Sequence, residues 1–305
     1  MRDKGKRRLG LLAATVLAGP LVGAVARRIS PRPGQARGFG GRAVEVFDEG
    51  EGPVVLLIHG LFGNMLNFSR LIPQLGGFRV LAYDRRGAGR SASAPKGGER
   101  LEAQAALAAE MLEAAGGRPA IVVGHSLGGA VALQLAADRP DLVAGLVTLG
   151  ALTRPMAPQL TAAAAALGRA TPLREALARG ATQPLMATIG PPIALMSFAP
   201  DPAPAGFMIW GGGLMAGQPR AVSGALRDLD VADRGIRALQ PRLGQIEAPA
   251  LILHGREDDV VRFGQAEHAA ATLPHAELRP MPGGHMMPVI RPKAVAAAIR
   301  EMAGR

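Results

Sequence analysis

Short, largely apolar runs separated by helix-length segments constrain this chain more than any other feature. Val54–Ile58, Phe78–Tyr83, Ala120–Val123, Val143–Leu149 and Pro249–His254 are runs of this kind. A run without polar alternation reads as a strand buried on both faces. Ala43–Phe47 alternates instead, as a half-exposed strand does, and a short last strand is expected over Ala276–Met281. Between them the patterns predict helices over Asn67–Leu75, Glu99–Ala115, Leu127–Ala137, Gly264–Leu273 and Pro292–Met302. Alternation of this kind implies an α/β chain with a doubly wound, mostly parallel sheet and crossover helices on both faces. The core must be aliphatic, because 48% of the residues are hydrophobic and only 3% aromatic.

The alternation breaks between Leu152 and Glu247. That stretch is rich in Ala, Pro, Gly and Met, and it contains the single tryptophan, Trp210. A structureless loop so long is improbable inside a compact domain, so a mainly helical insertion is expected over 152–247. It divides the core into 43–151 and 248–305.

The N-terminus has a different character. Lys4–Arg8 is basic, Leu9–Ala26 is an uncharged run of 18 residues, and Arg27-Arg28 close it. As a helix the run would span ~27 Å, about one hydrocarbon thickness. A membrane anchor over residues 9–26 is the expectation, with the body on the extracytoplasmic or periplasmic side. A signal cleaved near Ala24-Val25-Ala26, releasing a secreted body, is the alternative. Residues 29–42, with Pro31 and Pro33, read as a tether, so residues 1–37 are assigned to tail rather than domain. Those 37 residues hold nine of the Lys/Arg and one acid, so of the net charge of +11 only +3 belongs to the body. Such a distribution argues against a basic groove and against nucleic acid as a partner. The chain has no cysteine, which excludes a disulfide framework, a thiolate metal site and a cysteine nucleophile.

Ligands of doubly wound sheets gather at the carboxyl ends of the strands. Gly60, Asp84, Ser126 and Asp258 all fall there. Gly124-His125-Ser126-Leu127-Gly128 joins an apolar run to a helical stretch. That is the pattern of a nucleophile elbow, in which the turn is too sharp for a side chain at either glycine. A serine hydroxyl needs an imidazole to remove its proton, and the imidazole needs an acid to hold its tautomer. Of the six histidines, His59 and His125 sit in turns beside glycines, His254 ends a strand, His268 lies in a helical pattern and His275 precedes the last strand. His285, in Pro282-Gly283-Gly284-His285, lies on a loop past that strand, where it can reach the elbow. The acid candidate is Asp258, with Asp259 and Glu257 as neighbours that could displace the assignment. The order Ser126, Asp258, His285 suits this fold. Two backbone N–H groups are expected to bind a developing oxyanion: Leu127, at a helix start, and Leu61, in His59-Gly60-Leu61-Phe62-Gly63-Asn64, with Phe62 next.

These segments together resemble the α/β-hydrolase superfamily from about Ala43 to the C-terminus. His59-Gly60 is similar to its oxyanion turn, and Asp84-Arg85-Arg86-Gly87-Ala88-Gly89-Arg90-Ser91 to its structural D-x-R-G-x-G-x-S segment. Gly124–Gly129 is similar to its elbow, Gly255–Val261 to its acid loop and Gly284-His285 to its histidine loop. The resemblance implies that the 152–247 insertion is a cap. It also implies a serine hydrolase using no metal or organic cofactor, and serine at the elbow speaks against the dehalogenase and epoxide-hydrolase branches. The methionines of the insertion suggest an ester of small to medium size with an apolar part. Perhydrolase, haloperoxidase or C–C bond hydrolysis on the same triad is the alternative, as is a non-catalytic binding protein of the same fold. Oligomeric state is not legible.

Overall fold

The computed structural model describes residues 23–155, 192 and 196–305. Eight strands form one sheet: β1 (Gln35–Phe39), β2 (Arg42–Glu49), β3 (Val54–Ile58), β4 (Arg79–Tyr83), β5 (Ala120–His125), β6 (Val143–Leu149), β7 (Ala250–Gly255) and β8 (Ala276–Met281). Their order is β1-β2-β4-β3-β5-β6-β7-β8. β1 and β2 are antiparallel to their neighbours, and the strands from β4 across to β8 are parallel.

The central strands bury both faces. Leu56, Ile58, Val122, Leu146 and Ile252 point to one side, where they pack with α1 (Leu101–Ala114), α2 (Leu127–Asp138) and residues of α3 (Pro219–Leu239) and α4 (Gly264–Thr272). Val55, Leu57, Val123, Val147 and Leu251 point to the other, against the 3-10 turns Met65–Phe68 and Ile72–Gln74 and α5 (Pro292–Ala303). Side chains two apart share a face of a strand, so one unbroken apolar run supplies both layers. The packing is mostly aliphatic, with Phe47, Phe68, Phe78 and Tyr83 as buried aromatic side chains.

Two expectations are corrected here. Residues 35–39, assigned to a tether, are β1, and they pair with β2 from Gln35↔Val46 to Phe39↔Arg42. Gly40 and Gly41 have φ of +49° and +70°, which makes the two-residue hairpin turn that brings β1 back along β2. The predicted helix over Asn67–Leu75 is instead the two short 3-10 turns. Asn64 Oδ1 caps the first by accepting from Leu66 N at 3.1 Å, and Pro73 at the second lacks the N–H that a continuing helix needs.

Of the expected 9–26 span, residues 9–22 lie outside the described residues. Residues 23–29 are helical and rest on the body. Arg90 Nη2 donates to Arg27 O at 2.6 Å and to Ser30 O at 3.0 Å, Gln218 Nε2 donates to Gly23 O at 3.2 Å, and Ala26 is buried. No helix among the described residues is long and apolar enough to cross a membrane. In the insertion, residues 156–191 and 193–195 lie outside the described residues. The rest carries the one-turn helices Phe207–Trp210 and Gly213–Ala216, then α3 and the 3-10 stretch Gln240–Gln245.

Candidate active site

The elbow is built as its glycines demand. A Cβ on Gly124 would lie 2.5 Å from Gly128 O, and one on Gly128 would lie 2.1 Å from Ile58 O. With both absent, β5 turns directly into α2 and Ser126 sits between them at φ +56°, ψ −123°. A serine held there costs about 1–3 kcal/mol of backbone strain. Three hydrogen bonds hold it: Ser126 N to Leu149 O at 3.0 Å, Gly129 N to Ser126 O at 2.9 Å and Leu152 N to Ser126 O at 3.1 Å.

Asp258 and His285, 27 residues apart, meet at this rim: His285 Nδ1 lies 2.8 Å from Asp258 Oδ2. The other carboxylate oxygen accepts from Val260 N at 2.9 Å and Val261 N at 2.8 Å. Burial pushes the Asp258 carboxyl up. The hydrogen bond and charge of His285, with the Val261 N–H, outweigh burial and hold it below its ordinary value. An ionised Asp258 keeps the proton on His285 Nδ1 and leaves the ring's lone pair on Nε2. Asp259 and Glu257 are exposed, which separates them from the buried Asp258. Glu257 serves elsewhere in the loop, where its Oε2 accepts from Gly283 N at 2.7 Å. No hydrogen bond joins Ser126 Oγ to His285. Such contacts often tighten only when substrate binds.

Neighbouring histidines frame the pair. His125 Nε2 donates to His285 O at 3.0 Å, and the two rings lie 4.7 Å apart. Burial, with the nearby charge of His285, pushes His125 down to about 3, so its ring stays neutral. His254 Nε2 donates to Val261 O at 2.6 Å and lies 3.5 Å from Asp258 Oδ2. His268 bonds Gln240 and His275 bonds Glu247, both away from this rim.

The turn after β3 approaches from the other side. A Cβ on Gly60 would lie 3.1 Å from Ser126 Oγ, so the Gly60–Leu61 peptide borders the serine. Leu127 is the first residue of α2, and its N–H has no carbonyl one turn back to bond. The turn is strongly braced. His59 Nε2 accepts from Arg85 N at 2.9 Å, which places the proton on His59 Nδ1 for donation to Gly60 O at 2.9 Å. The buried Arg85 side chain reaches the same turn. Asn64 Nδ2 donates to Gly212 O at 2.9 Å and Asn67 Nδ2 to Gly211 O at 2.8 Å, tying it to the insertion. Asp84 accepts from Met65 N at 2.8 Å and Arg90 N at 2.7 Å, and burial pushes its carboxyl up to about 6. Sequence reasoning missed Arg85, Asn64 and Asn67 as supports. The only signal was an arginine between Asp84 and Arg86 that the D-x-R-G pattern leaves unspecified.

The histidine loop also leans on the insertion. A Cβ on Gly284 would lie 1.9 Å from Ala199 O, and Arg291 Nη2 pairs with Asp201 at 2.8 Å. Phe198, Phe207, Met286 and Val289 pack together beside it.

Comparison with known proteins agrees with this architecture. Residues 53–189 match the family described as alpha/beta hydrolase fold. A Variovorax paradoxus protein named a carbamate hydrolase (RutD) is 33% identical over 79% of this chain and 88% of its own length. The magnesium-chelatase 30 kDa subunit of Rhodobacter capsulatus is 31% identical over 79% and 84%. A thermophilic esterase from Thermogutta terrifontis shares the fold with a TM-score of 0.69 at 22% identity, over 89% of this chain and 97% of that one. Sheet order, elbow and relatives together make this chain a hydrolase of the α/β-hydrolase superfamily.

Proposed function

We propose that the chain is a serine hydrolase that cleaves carboxylic esters of small to medium apolar substrates through an acyl-enzyme. The observation that carries this reading is the buried Asp258–His285 hydrogen bond beside a serine held at positive φ. In the proposed first step Ser126 Oγ attacks the carbonyl carbon as His285 Nε2 takes its proton. Asp258 holds the imidazole and offsets the charge it gains. The N–H groups of Leu61 and Leu127 receive the oxyanion, each worth about 3 kcal/mol in the transition state. His285 then protonates the departing alcohol, and in the second step it activates the water that frees the acid. The apolar cluster of Phe198, Phe207, Met286 and Val289 next to the histidine loop supports an apolar substrate.

A carbamate is the second reading, favoured by the name of the 33% identical relative. It needs the same groups: the alcohol leaves in the first step, and water then hydrolyses a carbamoyl-enzyme to a carbamic acid, which loses carbon dioxide to give the amine. A fluorophosphonate probe tests both readings. Labelling should occur at Ser126 and vanish in Ser126→Ala, whose hydrolysis should fall at least ~10³-fold. Near-wild-type turnover by that variant refutes serine catalysis, and a wild-type chain that resists the probe and cleaves no substrate points to a binding protein. Esters of graded chain length beside matched carbamates separate the two substrate classes.

A further inference from the structure

We infer that Arg85 is the positioning residue for the oxyanion donor at Leu61, and that it links this donor to helix α3 of the insertion through Asp228. The inference rests on the serine-hydrolase reading above. The Gly60 carbonyl accepts three hydrogen bonds: from His59 Nδ1 at 2.9 Å, from Arg85 Nη2 at 3.0 Å and from Gly63 N at 3.2 Å. The peptide between Gly60 and Leu61 is planar and trans, so its N–H points away from its carbonyl. On the Gly60 side stands Ser126 Oγ, 3.1 Å from where a Cβ would be. Pinning the carbonyl therefore aims the Leu61 N–H.

Arg85 controls two of the three pins. Its side chain makes one directly. Its backbone N–H, on His59 Nε2, fixes the tautomer that makes the other. Its Nε also donates to His59 O at 3.0 Å, so adjacent carbonyls of the turn are gripped by one rigid fork. The guanidinium is 2% exposed, and a buried cation needs a counter-charge. That charge is Asp228 of α3, 143 residues away in sequence, whose Oδ2 accepts from Arg85 Nη1 at 2.9 Å. Gln104 of α1 accepts from the same nitrogen. A core loop and an insertion helix thus share one side chain, and the side chain sets an amide that faces the nucleophile.

The test replaces both charges together, Arg85→Met with Asp228→Leu, so that no unpaired charge is left buried. In the full chain this variant should keep a cooperative thermal transition. Its kcat for an activated ester should fall by roughly 10²-fold with KM changed less than about twofold, the loss expected when one oxyanion donor is misaimed. A trifluoromethyl ketone, which forms a tetrahedral oxyanion on serine, should lose affinity by the same factor. A purely structural role would not make inhibitor affinity follow kcat. Asp228→Asn, which removes the counter-charge that seats Arg85 against the turn while keeping a polar partner, should show a smaller parallel fall of about three- to tenfold in both quantities, and it carries the test where the double variant does not fold. Wild-type chain labelled at Ser126 together with a variant of unchanged kcat, or with kcat lost and inhibitor affinity kept, overturns the inference alone. Wild-type chain that is neither labelled nor active overturns the serine-hydrolase reading and the inference with it.

Discussion

Substituting Gly60 with alanine adds one methyl group directly against Ser126. Its Cβ would lie 2.6 Å from Ser126 Cβ and 3.1 Å from both His125 O and Ser126 Oγ. Carbon atoms rest about 3.5–4.0 Å apart, so roughly 1 Å must be found. Ser126 has little to give, since its backbone is held between β5 and α2 at φ +56°. The turn has little to give either, because the Gly60 carbonyl carries three hydrogen bonds. Gly60 itself has no positive φ, so the methyl group and not the backbone is the perturbation. Overpacking of this kind costs about 1–3 kcal/mol of stability. Displacing nucleophile from oxyanion donor by ~1 Å is worth about 10²-fold in rate. Gly60→Ala should therefore remain folded with a modestly lowered Tm and lose about 10²-fold in kcat against an activated ester. Gly38→Ala on β1 meets nothing within 4 Å and should leave kcat within about twofold. A Gly60→Ala protein with kcat within about threefold of wild type would refute the placement of this turn beside the nucleophile.

Three further outcomes are expected. Asp258→Asn should cut kcat by roughly 10³–10⁴-fold by releasing the His285 tautomer, while the exposed Asp259→Asn stays within about twofold; the reverse pattern would move the acid by one residue. His125→Phe removes the donor to His285 O and should lower kcat about tenfold with KM unchanged, whereas His125→Gln, which can place an N–H near the same point, should recover most of it; equal losses in both would deny that hydrogen bond a role. Asp84 titrates near 6 when folded against an ordinary value near 4, so the folded state holds the extra proton and stability falls as pH rises from about 4 to about 6. Wild type minus Asp84→Asn, followed by urea unfolding across that range, should change by on the order of 3 kcal/mol and flatten above it; a difference independent of pH would refute this.

The strands with doubly buried side chains were legible because burial on two faces writes itself as an unbroken apolar run. β3, β5, β6 and β7 are of this kind. β1 was not legible, since most of its side chains are exposed and its pairing follows from a Gly-Gly turn and from β2, not from any pattern of its own. The run around Asn67 looked helical by spacing, but an asparagine cap and a proline cut it into single turns. In the candidate site, Ser126 and His285 stood out because they lie close to glycines in turns past strands, and Asp258 because it follows the end of β7 by a few residues. The ambiguity between Asp258 and Asp259 was one of burial, which adjacent acids do not reveal. Arg85 was hidden for a different reason: its partners Gln104 and Asp228 are distant in sequence, and nothing local marks a charged residue as destined for the interior.

The contact between Ala199 and Gly284 bears on how this scaffold can be re-engineered. Residues 198–201 do not merely border the rim; they abut the loop that carries the imidazole, and Asp201 is salt-bridged to Arg291 just beyond it. Transplanting a foreign insertion between the two halves of the core would remove that buttress. Chimaeras that preserve 198–201 should keep the seat of His285, while those that replace it would have to rebuild that seat from scratch. In this chain the insertion and the loop that carries His285 are not separable modules.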